Sequence, residues 1–196
     1  MAGFVDATGF LAVGGFFLSF MSGNSTRLAV GIARHGPDAA MAGGVIASFL
    51  TGVVAGMLIA GAAARHRPDA RTRLLLLFVA ALLGAGAGLG EGAMPIPAAL
   101  VATMAMGAMN AVFARDGDVR IGLTYMTGTI VKTGQHIAAA LSGGPRLAWL
   151  PWALLWASLA VGAVLGALLW PYLGLRALWV ASIAVILASI LAPRLD

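Results

Sequence analysis

There is no cysteine in this sequence, and little charge: Asp, Glu, Lys and Arg together make up 10% of it. The first absence excludes disulfides, thiol nucleophiles and thiolate metal sites. The second excludes an ordinary soluble domain, in which about 25% of residues are charged. The short patterns of catalysis and metal binding are lacking too: the chain has no HExxH, no GxSxG, no phosphate-binding loop and no cluster of carboxylates with histidines. An intramembrane hydrolase needs a nucleophile and a base, and Ser22 or Ser25 with His136 is too loose a set. The expectation is a protein that is not an enzyme and holds no cofactor or metal. The twelve Lys and Arg residues, against seven Asp and Glu, form no stripe beside aromatic residues, so no nucleic-acid partner is expected.

What is present is apolar: 61% of the 196 residues are hydrophobic and the mean hydropathy is +0.97, so the lipid bilayer is the expected solvent. The N-terminal apolar stretch lacks a basic region before it and is interrupted by Asp6, which argues against a secretory signal. Four long apolar stretches, Ala39 to Ala64, Leu74 to Leu89, Leu147 to Trp170 and Ala177 to Ala192, approach the roughly 20 residues that cross hydrocarbon. Two further stretches, Gly3 to Arg34 and Ala98 to Leu141, are too long for one helix and are interrupted by glycine and polar residues.

These two interrupted stretches are copies of each other. SFMSGN (Ser19 to Asn24) matches TYMTGT (Thr124 to Thr129), Arg27 matches Lys132, and Gly3, Asp6 and Ala7 match Gly107, Asn110 and Ala111. Further on, Ser48, Gly52 and Gly56 fall on Ser158, Gly162 and Gly166. Small residues four apart share a helix face and let backbones approach, so the ladder Gly44, Ser48, Gly52, Gly56 reads as packing surface rather than pore lining.

Charge sets the orientation. Arg65, Arg67, Arg71 and Arg73 place the loop between Ala64 and Leu74 in the cytoplasm, and the loop around Glu91 outside. Two topologies follow. If each interrupted stretch crosses twice, there are eight spans in parallel repeats; if each crosses once and re-enters, there are about six in inverted repeats. The inverted arrangement has the better bias of basic residues and puts both termini in the cytoplasm. The expected fold is therefore an all-α polytopic membrane protein with two inverted repeats, residues 1–96 and 97–196. Each repeat holds a re-entrant extended segment, a half-helix and two spans.

In this arrangement FFLSFM and VRIGLTYM run inward as strand-like segments and turn at SGN and TGT, with Asn24 and Thr129 as helix N-caps. Two half-helix N-termini then meet near the midplane, each offering free N–H groups followed by a cation. That is a natural site for a small anionic or polar solute, lined by Ser22, Gly23, Asn24, Ser25, Thr26 and Arg27 from one half and Thr127, Gly128, Thr129 and Lys132 from the other. Against this stands a structural role in which Arg27 neutralises Asp6 and Lys132 snorkels to the interface. Asp6, Asn110, Gln135 and His136 are candidate coupling or gating residues; a packing role for Asp6 and an interface hydrogen bond for His136 are the alternatives.

At GFVDATGFLAVGGFFLSFMSGNSTRLAVGIA, and at MGAMNAVF with GLTYMTGTIVK, the chain resembles the YoaK family of bacterial membrane proteins, which carry a domain of unknown function. The resemblance covers essentially the whole chain through its G-x-x-D-A, S/T-G-N and N-A-x-F elements. It implies an inner-membrane protein of about six spans and brings no substrate. Gly107 follows about ten apolar residues and Gly3 only two, so the first helix is expected to cover half the membrane unless the chain starts late. The reading as a whole is a small transporter or channel, expected as a homodimer, with a non-transporting scaffold or accessory subunit as its rival.

Overall fold

A computed structural model describes residues 1–115, 118–119 and 126–191; most of the run VRIGLTYM lies outside them. The four apolar stretches are helices within about three residues of their expected ends: α3 (Asp38–His66), α4 (Arg71–Glu91), α7 (Leu150–Leu173) and α8 (Ala177–Leu191). Around them lie α1 (Ala2–Ala12), α2 (Met21–Ala33), α5 (Pro95–Met109) and α6 (Met126–Leu141). The only strands among the described residues are two of two residues each, Ala114–Arg115 and Asp118–Val119.

Local chemistry explains the boundaries. Asp38 stands in the first turn of α3, and Arg65 and His66 in its last, each sign favourable to the helix dipole, and Pro68 forbids continuation. Pro95 opens α5, where its missing N–H costs nothing. Helices α1, α2, α4 and α6 end alike. One residue takes a positive φ (Gly14, His35, Ala93 and Gly143), and the next amide returns to a carbonyl five residues back: Gly15 to Phe10, Gly36 to Gly31, Met94 to Leu89 and Gly144 to Ala139, at 2.8 to 3.1 Å.

Four segments are long and apolar enough to cross a membrane: Asp38–His66, Pro68–Glu91, Pro95–Val112 and Leu150–Leu191, with Ala2–Ala12 as a shorter apolar helix. The last of the four is α7 and α8, separated at Gly174, where φ is +53. On α7, Trp152 and Trp170 stand about 27 Å apart at 1.5 Å per residue. That is close to the roughly 30 Å of a hydrocarbon core, a spacing that suits indoles at its two interfaces. Between them Val161, Leu165 and Leu168 are exposed, as lipid-facing side chains must be, and Leu50, Val54 and Leu58 do the same on α3.

The helices pack in a reciprocal pattern. Helix α1 lies along α7, and α5 lies along α3. A methyl group on Gly3 would meet the Leu159 carbonyl, and one on Gly107 the Phe49 carbonyl. These are pairs of positions that the sequence match aligns with each other. Likewise Gly56 faces Ala108 and Ala111, while Gly166 faces Phe4 and Ala7. The small-residue ladder is thus backbone-to-backbone packing, each half supplying the partner for the other. Helices α4 and α8, which are also repeat mates, run antiparallel: Ala80 and Gly84 lie beside Ser182, Gly86 beside Leu178, and Gly90 beside Leu175. The core is built here, from Val79, Leu83, Met106, Leu178 and Val185 with a layer of alanines.

Candidate functional site

The break between α1 and α2 is held by side chains from the helices on either side of it. Gly14 and Gly15 both adopt positive φ, which lets the chain leave α1 sharply, and Phe16 to Phe20 follow in irregular conformation, not as a strand. Backbone groups in such a segment need partners inside a membrane. Asp6 supplies two: its Oδ1 accepts the amides of Leu18 at 2.7 Å and Ser19 at 2.8 Å. The fully buried Asn24 supplies two more, accepting from the Phe17 amide at 3.1 Å and donating to the Phe17 carbonyl at 2.6 Å. Asn24 is therefore not the N-cap of α2, which begins three residues earlier at Met21; its amide side chain acts as a short piece of sheet partner for the extended run.

Arg27 completes the clamp without touching Asp6. Its Nη1 donates to the Gly14 carbonyl at 3.2 Å and to that of Gly15, its Nη2 pairs with Asp38 at 3.1 Å, and its guanidinium carbon lies 3.9 Å from the centre of the Phe16 ring. Asp38 is the first residue of α3, so this pair stands at a helix end and not at mid-depth. In place of the alternative in which Arg27 neutralises Asp6, amides meet one carboxylate oxygen and Asp38 meets the guanidinium.

Beside the break is an open-sided cavity of about 520 Å³, lined by Gly3, Asp6, Ala7 and Phe10 of α1, by Phe17 and Phe20, and by Leu159, Ala163, Val164 and Ala167 of α7. Phe17 lies 5.0 Å from Phe10 and 5.3 Å from Phe20 between ring centroids, so the rings make an angled aromatic wall. Gly23 permits it, because a methyl group there would meet both Phe17 and Phe20. Asp6 is the one ionisable side chain in the lining. The Ser19 hydroxyl also hydrogen-bonds the carboxylate. Ala163 and Ala167 fall between Trp152 and Trp170 of α7, so the cavity lies against a segment apolar and long enough to cross a membrane.

In the second half the same positions do different work. Asn110 turns back on its own helix, donating to the carbonyls of Met106 at 3.0 Å and Gly107 at 3.3 Å. Thr129, matched to Asn24, lies in the first turn of α6, and its hydroxyl donates to the Met126 carbonyl at 2.7 Å. The helix starts at Met126, so Thr129 is not its N-cap. Lys132 Nζ lies 4.1 Å from the centre of the Trp152 ring, and His136 stacks on the same indole with rings 5° from parallel. Gln135, Thr127 and Gly128 are exposed, as are Ser22, Ser25 and Thr26 on α2. The candidate residues thus form two groups. Trp152 precedes Ala163 by about 16 Å along α7, and neither Arg27 nor Lys132 lines the cavity.

Arg71, assigned only a topological role by its position in a basic loop, also holds backbone at a break. Its Nη2 donates to the carbonyls of Ala111 at 3.0 Å and Ala114 at 2.8 Å, where α5 runs out. The cavity phenylalanines were equally unannounced, since Phe10, Phe17 and Phe20 read as ordinary apolar residues until the chain reverses at Gly14.

The profile of a family described as "Protein of unknown function (DUF1275)" matches residues 1–191. The chain is also 38% identical over 192 residues to a UPF0700 transmembrane protein, RA0705, of Rhizobium meliloti (strain 1021), covering 96% of this chain and 80% of that protein. No solved structure matches.

Proposed function

This chain belongs to the DUF1275 family, whose description states no activity, and from that premise we propose that it is a small transporter or channel of the bacterial inner membrane, moving a small polar or charged solute. One observation carries the reading: a non-helical segment, held by Asp6, Asn24 and Arg27, borders a cavity against the apolar helix α7, and we assign that cavity to the hydrocarbon layer. Irregular backbone at that depth is tolerated where protein buries it or where it lines a cavity, and an ionisable side chain there marks a solute or ion path more often than a packing site.

The reading includes inverted repeats, and the helix contacts are those it requires. Repeat mates α4 and α8 lie antiparallel, and the glycine contacts of α1 on α7 are repeated by those of α5 on α3. A two-fold axis in the membrane plane relates halves in this manner, and alternating access in such folds comes from one half rocking against the other. We place both termini in the cytoplasm, six crossings in the chain, and a homodimer as the working unit. No catalytic role is assigned to any residue.

The expected anion site between two half-helix N-termini is revised in this proposal. The amides just before α2 already have an anion, the Asp6 carboxylate, and Arg27 is committed to Gly14, Gly15 and Asp38. The scaffold reading draws on the close glycine seams, which are dry packing, but those seams leave the Asp6 cavity unexplained.

A chain without cysteine allows a direct test. Single Ala163→Cys and Ala167→Cys variants in proteoliposomes are expected to react with a membrane-impermeant thiol reagent, whereas Val161→Cys on the lipid face stays unlabelled. A cavity wall as unreactive as Val161→Cys would make the cavity closed to water and favour the scaffold. Electrical recording from supported membranes with a panel of small solutes then measures flux.

A further inference from the structure

We propose that the Asp6 cavity binds a small organic cation, of the quaternary ammonium or protonated amine class, between the carboxylate and the aromatic wall; this deepens, and rests on, the transport reading of the same cavity. Three features converge on a cation. The lining has one carboxylate and no basic group. The positive ends of local dipoles, which would attract an anion, are already turned on Oδ1 through the Leu18 and Ser19 amides, so an incoming anion would meet Asp6 and no free donor of theirs. The guanidinium of Arg27 is held elsewhere, by two carbonyls, Asp38 and the Phe16 ring.

The walls fit the same ligand. Ring faces attract a cation within about 6 Å of their centroids, most strongly where water is scarce. Phe10, Phe17 and Phe20 enclose one side of the cavity at mutual angles of 45° and 81°, so differently tilted ring faces are available to a rounded ammonium group. The volume, about 520 Å³, lies in the range of small-molecule sites. The carboxylate of Asp6, in the cavity lining, gives the charge.

The test uses full-length protein purified in dodecyl maltoside, with radiolabelled benzyltrimethylammonium as the probe in equilibrium dialysis. Its neutral carbon analogue, neopentylbenzene, and benzenesulfonate serve as competitors. The cation is expected to bind saturably, with neither competitor displacing it. Asp6→Asn keeps an oxygen for both amides and, like Asn110 in the other half, suits a helix at this position; it is expected to weaken binding at least tenfold. Phe10→Leu, at a half-exposed position, is expected to weaken it several-fold, and Lys132→Gln to leave it unchanged. Wild-type binding retained by Asp6→Asn overturns the inference. So does displacement by benzenesulfonate, or the absence of saturable binding to folded wild-type protein.

If Asp6→Asn does not fold, Phe10→Leu decides. Displacement by added phosphatidylcholine would assign the ammonium site to a lipid headgroup, and insensitivity to it to a free solute. Cation binding without flux in proteoliposomes would sink the transport reading and leave this site standing. Flux of other solutes that ignores Asp6→Asn would do the reverse.

Discussion

Asp6 and Arg27 show how a charged side chain can be retained in a membrane by serving the backbone. Asp6 satisfies two amides that the break would otherwise leave without acceptors, and Arg27 does the same for two carbonyls. Asp6→Ala is expected to destabilise the fold by about 2 kcal/mol or more, since a buried donor left unpaired costs about 1–3 kcal/mol, while Asp6→Asn costs little. Thermal unfolding in detergent measures the difference, and equal midpoints for the two variants would remove the bracing role. Arg27→Lys keeps the charge but loses the fork that reaches Gly15 and Asp38 together, so a loss of about 1–2 kcal/mol is expected. Its Asp38 pair contributes little of this, because both partners are partly exposed. Thr103 is the opposite case: its buried hydroxyl has no partner among the described residues. Thr103→Val is expected to leave the melting midpoint unchanged or raise it.

At the scale of elements, the seams α1 on α7 and α5 on α3 depend on the absence of a side chain. A methyl group at Gly3 or Gly107 would overlap the carbonyl of Leu159 or Phe49, which is backbone and cannot rotate away. Gly107→Ala is therefore expected to lower the yield of folded protein sharply, as overpacking and lost helix contact combine. Gly61, on the same helix as Gly52 and Gly56, has open space where a methyl group would go, and Gly61→Ala should be neutral or stabilising by up to about 1 kcal/mol. Similar midpoints for Gly107→Ala and Gly61→Ala would contradict the seam. Periodic glycines were legible in the sequence as a packing ladder. Their partners were not, because residues far apart in sequence meet in both seams, Gly107 with Phe49 and Gly3 with Leu159.

For the whole molecule, orientation is the decisive measurement. In the inverted arrangement the loop of Arg34 to Pro37 faces outward, and the loop of Ser142 to Trp149, its counterpart, faces the cytoplasm. Impermeant labelling of single cysteines at Gly36 and Gly144 in intact cells is expected to modify the first alone. Labelling of both would restore parallel repeats with eight spans. The antiparallel contact of α4 with α8 favours the first outcome, since parallel repeats would align these mates in one direction.

Composition determined that the chain lies in a bilayer, because 61% apolar residues leave too few polar side chains to cover a water-facing surface. Helix positions followed from length, proline and glycine, which act locally. The matched motifs of the two interrupted stretches were legible as well. What the residues at the breaks do was decided only in three dimensions. Asn24 was expected to cap a helix and instead pairs with Phe17, and Arg27 found Asp38 and not Asp6. Both outcomes depend on where Gly14 and Gly15 send the chain, and a polar side chain takes whichever unpaired group that path brings within 3 Å. The same reversal gathers Phe10, Phe17 and Phe20 around Asp6, a juxtaposition that linear spacing does not encode.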